Sequence, residues 1–428
     1  MKTLTIKTFA LFMLASAAFF PDFNSRSTIQ PDGFSLSVPS HKKSSTNERQ
    51  HPVSAANTPL YCKAKPEPQD SLPMENKTKT GLGASKDGAF ILGADISQLY
   101  RIEAHGGTFR CNGKTANPVA ILKEHGINFV RVRLWHDPRE GCCNLKETLR
   151  LAKLADSLGL GLLLDIHYSD TWADPGHQTK PAAWSNVTFD SLIDSMYAYT
   201  KSVIGALDKQ HTPPAIVQIG NEIECGILWD DGRVCGSFND KKHWDALTDL
   251  LKAGIKGARE SSNHPNKIKI MIHVSCSTNT RASEEFFDRL ISKGVDFDLI
   301  GLSYYPWWHG SMQALKTNME LLASRYEKGI VIAETAYPWT LSWKDDTHNI
   351  VGLGRQLLTG YPATVAGQER FITDLIKTVK GITADGSKGI FYWGGIDISA
   401  PRMGSSCENI ALFDFSGDVL KSVEAFQN

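Results

Sequence analysis

From Gly88 onward the chain alternates between two hydrophobic patterns. Short, continuous apolar runs rich in β-branched residues begin at Phe90 (FILGADIS), Phe129 (FVRVRLW), Gly161 (GLLLDIHYS), Ala215 (AIVQIGNEI), Ile268 (IKIMIHVS), Phe297 (FDLIGLSYY), Ile330 (IVIAETAY) and Gly389 (GIFYWGG). Between them lie longer stretches whose apolar residues recur three or four apart, such as Leu145 to Leu158, Phe189 to Leu207, Trp244 to Ala258 and Phe371 to Val379. The first pattern predicts strands buried on both faces, and the second predicts amphipathic helices that cover them. Eight such units in succession predict an α/β protein of the (β/α)8 TIM-barrel type. An open, doubly wound sheet is the rival arrangement. It is weakened because no strand leads into G-x-G-x-x-G or G-x-x-x-x-G-K-[ST].

The segments before Gly88 lack this alternation. Lys2 and Lys7 precede an apolar run from Phe9 to Phe20, and Ala15, Ser16 and Ala17 offer a small-residue cleavage site. That is the pattern of a signal peptide over 1–20 and of a secreted protein, extracellular, periplasmic or at the cell surface. The run is too short to span a bilayer comfortably. Residues 21–86, rich in Ser, Pro, Lys, Asn and Thr, read as a flexible linker, which leaves 87–428 as a single catalytic domain. Lys plus Arg (46) balance Asp plus Glu (46), so no global field draws the chain to nucleic acid or an anionic membrane. A neutral partner and a monomeric state are expected. The cysteines number 8, with no C-x-x-C, which disfavours zinc; Cys225 with Cys235 is a plausible bridge across a loop, and adjacent Cys142 and Cys143 are poorly placed to pair. Asn76 and Asn186 stand in glycosylation sequons.

Active groups of such barrels sit at the carboxyl ends of the strands. There the runs end in Asp95, Arg133, Trp135, His136, Asp137, Asp165, His167, Asn221, Glu222, His273, Tyr304, Tyr305, Glu334 and Trp393. Glu222, after the fourth run, and Glu334, ending the seventh, would face each other across the barrel mouth. Two facing carboxylates without a metal or nucleotide signature suggest glycoside hydrolysis. Glu224 competes with Glu222, because both fall on one face of a continuing strand and periodicity does not choose between them.

IGNEI and AETAYP, together with FVRVRLWHDP, LLDIHYSDTWADPGHQTKPAAW, LIGLSYYPWWHG and ALFDFSG, resemble the glycoside hydrolase family 53 endo-β-1,4-galactanases from about Gly93 to Val423. The resemblance implies a retaining (β/α)8 enzyme acting on β-1,4-galactan, with Glu222 as acid/base and Glu334 as nucleophile. Another retaining hydrolase acting on mannan or glucan, or a silent galactan-binding barrel, are the alternatives. Arg133, or its same-face neighbour Arg131, is expected to hold Glu334 ionised, with Tyr304 donating a hydroxyl; deep in the barrel, Arg131 reads better as a structural partner. Asn221 is expected to meet the sugar 2-hydroxyl. Trp135, Trp307 and Trp393 offer platforms for pyranose rings, as do Trp172 and Trp308, while Asp165 and His167 are expected to bind sugar hydroxyls or orient neighbours. No cofactor is required for this chemistry. Some family members hold calcium, for which Asp346, His348, Ser406 and Glu408 are the candidate ligands; a histidine would be unusual there.

Overall fold

Eight parallel strands close on themselves: β1 (Ile91–Asp95), β2 (Phe129–Leu134), β3 (Gly161–Ile166), β4 (Ile216–Ile219), β5 (Lys269–Val274), β6 (Leu299–Tyr304), β7 (Gly329–Thr335) and β8 (Lys388–Tyr392). Each pairs with its neighbours in sequence, and β8 returns to β1 with Ile91 opposite Gly389. This computed structural model describes residues 90–139, 141–261, 268–384 and 386–427. The leader and linker expected over 1–20 and 21–86, with Cys62 and Asn76, lie outside the described residues. The eight predicted runs are the eight staves.

The helices form the outer ring: α1 (Leu99–Ala104), α2 (Pro118–Glu124), α3 (Leu145–Ser157), α4 (Phe189–Lys209), α5 (Lys241–Ser261), α6 (Thr280–Ser292), α7 (Met312–Tyr326) and α8 (Val365–Lys380), with one extra turn at Pro306–His309. Their starts follow from side chains that satisfy orphan amides. Asn144, Thr188, Ser311 and Thr364 accept from the backbone N–H of Glu147, Ser191, Ala314 and Gly367, each cap contributing about 1 kcal/mol. The apolar stripes face inward: Leu151, Ala152 and Ala155 on α3, and Phe371, Ile372, Leu375 and Ile376 on α8, join the shell packed around the staves.

Inside the barrel the floor is apolar. Ile91, Phe129, Leu163, Ile216, Met271, Leu299, Val331, Ala333 and Phe391 form a separate cluster. It fits because glycines leave room for large neighbours: a Cβ on Gly93 would lie 2.1 Å from Phe391, and one on Gly161 would lie 2.4 Å from Phe129. Each addition would force a core ring aside.

The register breaks once. Leu302 pairs with Ile332 but Ser303 pairs with Glu334, and on the other side Ile332 pairs with Ile390 while Thr335 pairs with Tyr392. β7 therefore carries one extra residue, a β-bulge at Ala333–Glu334. Strict alternation from Val331 would send Glu334 outward; the bulge turns it into the barrel.

Candidate active site

Above the apolar floor the same staves turn polar. Asp95, Arg131, Asp165, Gln218, His273, Ser303 and Glu334 are all buried at their upper ends. Arg131 is the hub. Its Nη1 lies 2.9 Å from Asp95 Oδ2, and its Nη2 lies 2.8 Å from Asp165 Oδ2, 2.7 Å from Glu334 Oε1 and 2.9 Å from Asn221 Oδ1. One cation thus serves three carboxylates. Burial works against the Asp165 carboxylate, but Arg131 and His167 outweigh it and hold it below the usual range.

β4 ends at Ile219, and the chain then turns sharply through Gly220 (φ 79°) and Glu222 (φ 49°, ψ 60°) into a 3-10 turn, Ile223–Cys225. A left-handed glutamate costs about 1 kcal/mol or more, and such strain concentrates at functional positions. Ser303 Oγ donates to Glu222 Oε1 at 2.6 Å, and Ser303 is the register partner of Glu334, so the two acids flank one serine. Burial pushes the Glu222 carboxyl well above its ordinary range, and the charges of Glu334 and Glu224 push it further. Burial also raises Glu334, but Arg131 and the Tyr305 hydroxyl, 2.8 Å from its Oε2, pull it back. The surroundings of the pair are unequal: Glu222 holds its proton and Glu334 stands ready to lose it.

The turn after β4 separates Glu222 from Glu224. Glu224 accepts from the backbone N–H of Ser275 at 3.1 Å and from its hydroxyl, tying the loop after β4 to the loop after β5. It is a strut.

Several expected contacts fall elsewhere. The cation on Glu334 is Arg131, because it sits lower on β2 and reaches the barrel axis; the structural role expected of it and the electrostatic one are the same contact. Arg133 lies higher on β2 but is buried, its guanidinium 3.8 Å from the centre of the Trp172 ring and its Nη2 3.4 Å from Cys143 Sγ. Tyr304 points out of the barrel and donates to Gly310 O at 2.9 Å; Tyr305, one residue on, points in. Asp165 is fully buried, its oxygens taken by Arg131, His167 and Gln218, so it lies beneath any substrate. His167 spends Nε2 on Asp165 and accepts at Nδ1 from the Ala173 amide and the Trp135 indole, at 3.1 and 3.3 Å, so it too orients neighbours. Trp135, buried by this bond, backs Trp172, which is half-exposed and lies edge-on to both Trp135 and Trp393.

Asn221 is fixed on both sides. Its Nδ2 donates to Ala173 O at 2.9 Å, while Oδ1 faces Arg131, Gln218 and His273 at 2.9 to 3.0 Å. Trp393 and Trp308 pack around Tyr305, whose ring lies 6.0 and 5.3 Å from theirs. Trp307 is half-buried beside Tyr305, and its indole N–H is buried without a protein partner. His136 packs against Trp184 and Tyr199, and His177 pairs with Asp174.

Among the described residues, no three His, Cys, Asp or Glu side chains gather as metal ligands. Asp346 and His348 are exposed, and His348 lies against Trp343, so they do not join the buried Glu408. Asp345 is the acid beside Glu408, and its charge helps push Glu408 up to about 7, after burial. Glu408 Oε2 and Asn349 Oδ1 are buried without a protein partner, and buried Ser406, two residues before Glu408, accepts at its carbonyl from the Ile350 N–H at 2.9 Å. Those are hard oxygen donors of the kind calcium takes. The Cys225–Cys235 disulfide is present, whereas Cys142 and Cys143 remain thiols.

A (β/α)8 barrel presenting two unequal carboxylic acids, one just after β4 and one at the end of β7, defines a glycoside hydrolase. The family model described as Glycosyl hydrolase family 53 matches residues 91–426. Arabinogalactan endo-beta-1,4-galactanase A of Aspergillus niger is 36% identical, over 78% of this chain and 94% of that protein. An uncharacterized protein of Niallia circulans is 42% identical over 80% of this chain and 94% of its own. Among solved structures, a family 53 catalytic domain from Ignisphaera aggregans is 38% identical with a TM-score of 0.74, covering 81% of this chain and 98% of that one. The chain belongs to glycosyl hydrolase family 53.

Proposed function

We propose that the protein hydrolyses internal β-1,4-galactosidic bonds in the (arabino)galactan side chains of pectin, with net retention at the anomeric carbon. The observation that carries this reading is the asymmetry of the two acids: Glu334 is gripped by Arg131 and Tyr305, while Glu222 meets a neutral serine and the like charges of Glu334, Glu224 and Asp174. In the first step a Glu334 oxygen attacks the anomeric carbon while Glu222 gives its proton to the departing glycosidic oxygen. A galactosyl ester on Glu334 results. Glu222, now a carboxylate, takes a proton from water as that water attacks the same carbon and releases Glu334. Both acids end as they began.

We assign sugar-hydroxyl contacts to Asn221 and Arg133 and the flanking of the ring to Trp172, Trp307 and Trp393; Trp135, Asp165 and His167 hold these groups from beneath, and Tyr304 steadies the turn that carries Trp307 through its bond to Gly310 O. Proton NMR of the products of galactan hydrolysis tests the mechanism: the β-anomer appears first. A first-formed α-anomer overturns retention, and release from mannan or glucan but not galactan overturns the substrate. No helix among the described residues is long and apolar enough to cross a membrane. We take the enzyme to be a secreted monomer; amino-terminal sequencing of exported protein and its size in solution check both points.

Structural calcium is a separate proposal. Glu408, Asp345 and Asn349 would hold it, with Ser406 close by in the chain, and it would tie the loop after β7 to the loop after β8 without taking part in the reaction. A rise in melting temperature with calcium, reversed by a chelator and absent in Glu408→Ala, supports it; no change in the wild type overturns it.

A further inference from the structure

The aromatic residues Trp135, Trp172 and Trp393 come from the loops after β2, β3 and β8. The loop after β4, which carries Glu222, has an aromatic residue of its own. The segments Gly226–Ile227 and Gly232–Arg233 pair as an antiparallel ribbon, closed by Cys225–Cys235, and Trp229 stands at its tip. Trp229 is fixed from three directions. Its backbone N–H donates to Gln178 O at 2.7 Å, its indole N–H donates to Cys225 O at 3.0 Å, and the Arg233 guanidinium lies 4.2 Å from the ring centre. Gln178 in turn donates to Asn221 O at 2.8 Å, so Trp229 is braced against the backbone of the catalytic turn. Lys180 pairs with Asp231 across the same two loops.

This is an unusual amount of support for a residue that belongs to none of the apolar clusters of the described residues and stays half-exposed. An indole with its only donor satisfied and a cation on one side is a rigid plate whose remaining surface is free for a ligand. Position tells which ligand. Glu222 protonates the oxygen of the departing sugar, so the departing chain must leave past the loop that carries Glu222. A β-galactosyl ring suits such a plate, because its axial 4-hydroxyl leaves the opposite face lined with C–H groups. Arg233 sits beside it with Nε buried and unpartnered by protein.

We propose that Trp229 is a specificity residue on the leaving-group side, stacking a galactosyl ring beyond the scissile bond, with Arg233 holding the indole in place. The inference rests on the galactanase reading. The test compares two substrates: long β-1,4-galactan, which has sugars on both sides of the bond, and an aryl β-galactotrioside, whose sugars all lie on the other side. Trp229→Ala should lower kcat/KM on galactan by about tenfold or more and leave the aryl substrate within about twofold, and Trp229→Phe should recover most of the loss. Equal losses on both substrates, or no loss on galactan, overturn the proposal. Should Trp229→Ala fail to fold, Trp229→Leu, which keeps apolar volume without an aromatic face, and Arg233→Ala decide it by transfer of galactosyl to added galactobiose. A selective fall in transfer supports the stacking, and unchanged transfer in both overturns it. Wild type that cleaves neither substrate overturns the galactanase reading itself, a result distinct from any of these.

Discussion

The floor and the upper layer of the barrel are built from the same eight staves, yet they obey opposite rules. In the floor, Phe129, Met271, Leu299 and Phe391 fill space against glycines, and each side chain answers only to volume. In the upper layer, Asp95, Arg131, Asp165, Gln218, His273, Ser303 and Glu334 answer to charge and proton count. Dispersion is short-ranged, so a defect in the floor stays local. Coulomb interaction in a dry interior reaches further, so a defect in the upper layer is felt by every group that shares Arg131. The floor supplies stability, and the upper layer uses some of it to keep two acids in different protonation states.

The contrast breaks most sharply at Glu334. Glu334→Ala should cut kcat on galactan by more than about a thousandfold with the fold intact by circular dichroism; retention of even a tenth of the activity removes it as nucleophile. Arg131→Leu comes next. It strands Asp95, Asp165 and Glu334 without a cation, and should cost about 3–5 kcal/mol in urea unfolding; a loss below about 1 kcal/mol would show that the hub is not needed. Leu163→Ala, in the floor, should cost about 2–4 kcal/mol and leave the pH–rate profile where it was. A shifted profile would mean that the two layers are coupled.

The mildest change tests the acids alone. The active form has Glu222 protonated and Glu334 ionised, so activity falls on the acid side as Glu334 gains a proton and on the alkaline side as Glu222 loses one. Burial raises both groups, and Glu222 lies higher because Arg131 and Tyr305 restrain only Glu334. The hydroxyl of Tyr305 favours the charged form of Glu334. Tyr305→Phe should therefore move the acid limb up by about one pH unit and leave the alkaline limb in place. Movement of the alkaline limb instead would assign Tyr305 to the wrong acid.

The staves were legible because continuous apolar runs are what a stave covered on both faces demands, and each of the eight strands overlaps its predicted run, although the fourth stops at Ile219, short of the acids. The helices around them were equally plain from their spacing. The misreadings concern direction. Tyr305 was within reach of simple alternation, since Ser303 and Tyr305 share a face that Tyr304 does not. Glu334 was expected to face Glu222, but alternation alone does not give that aim: it depends on a bulge, and nothing local in VIAETAYP marks the extra residue. Arg131 and Arg133 share a face, and only depth along β2 tells which one meets Glu334. The same is true of Asp165 and His167, whose place below the substrate follows from partners contributed by β2 and β4 and the loops beyond β2 and β3. Glu224 became intelligible once the strand was seen to stop at Ile219.

The packed floor also has a topological consequence. With Phe129, Met271 and Phe391 plugging the axis, the barrel has one opening, and no polymer end can be threaded through it. A long chain has to lie across the rim, and both fragments leave by the way they came. The plug confines every polymer to the face that carries the acids, so where along its length a chain is cut is left to the loops of that face.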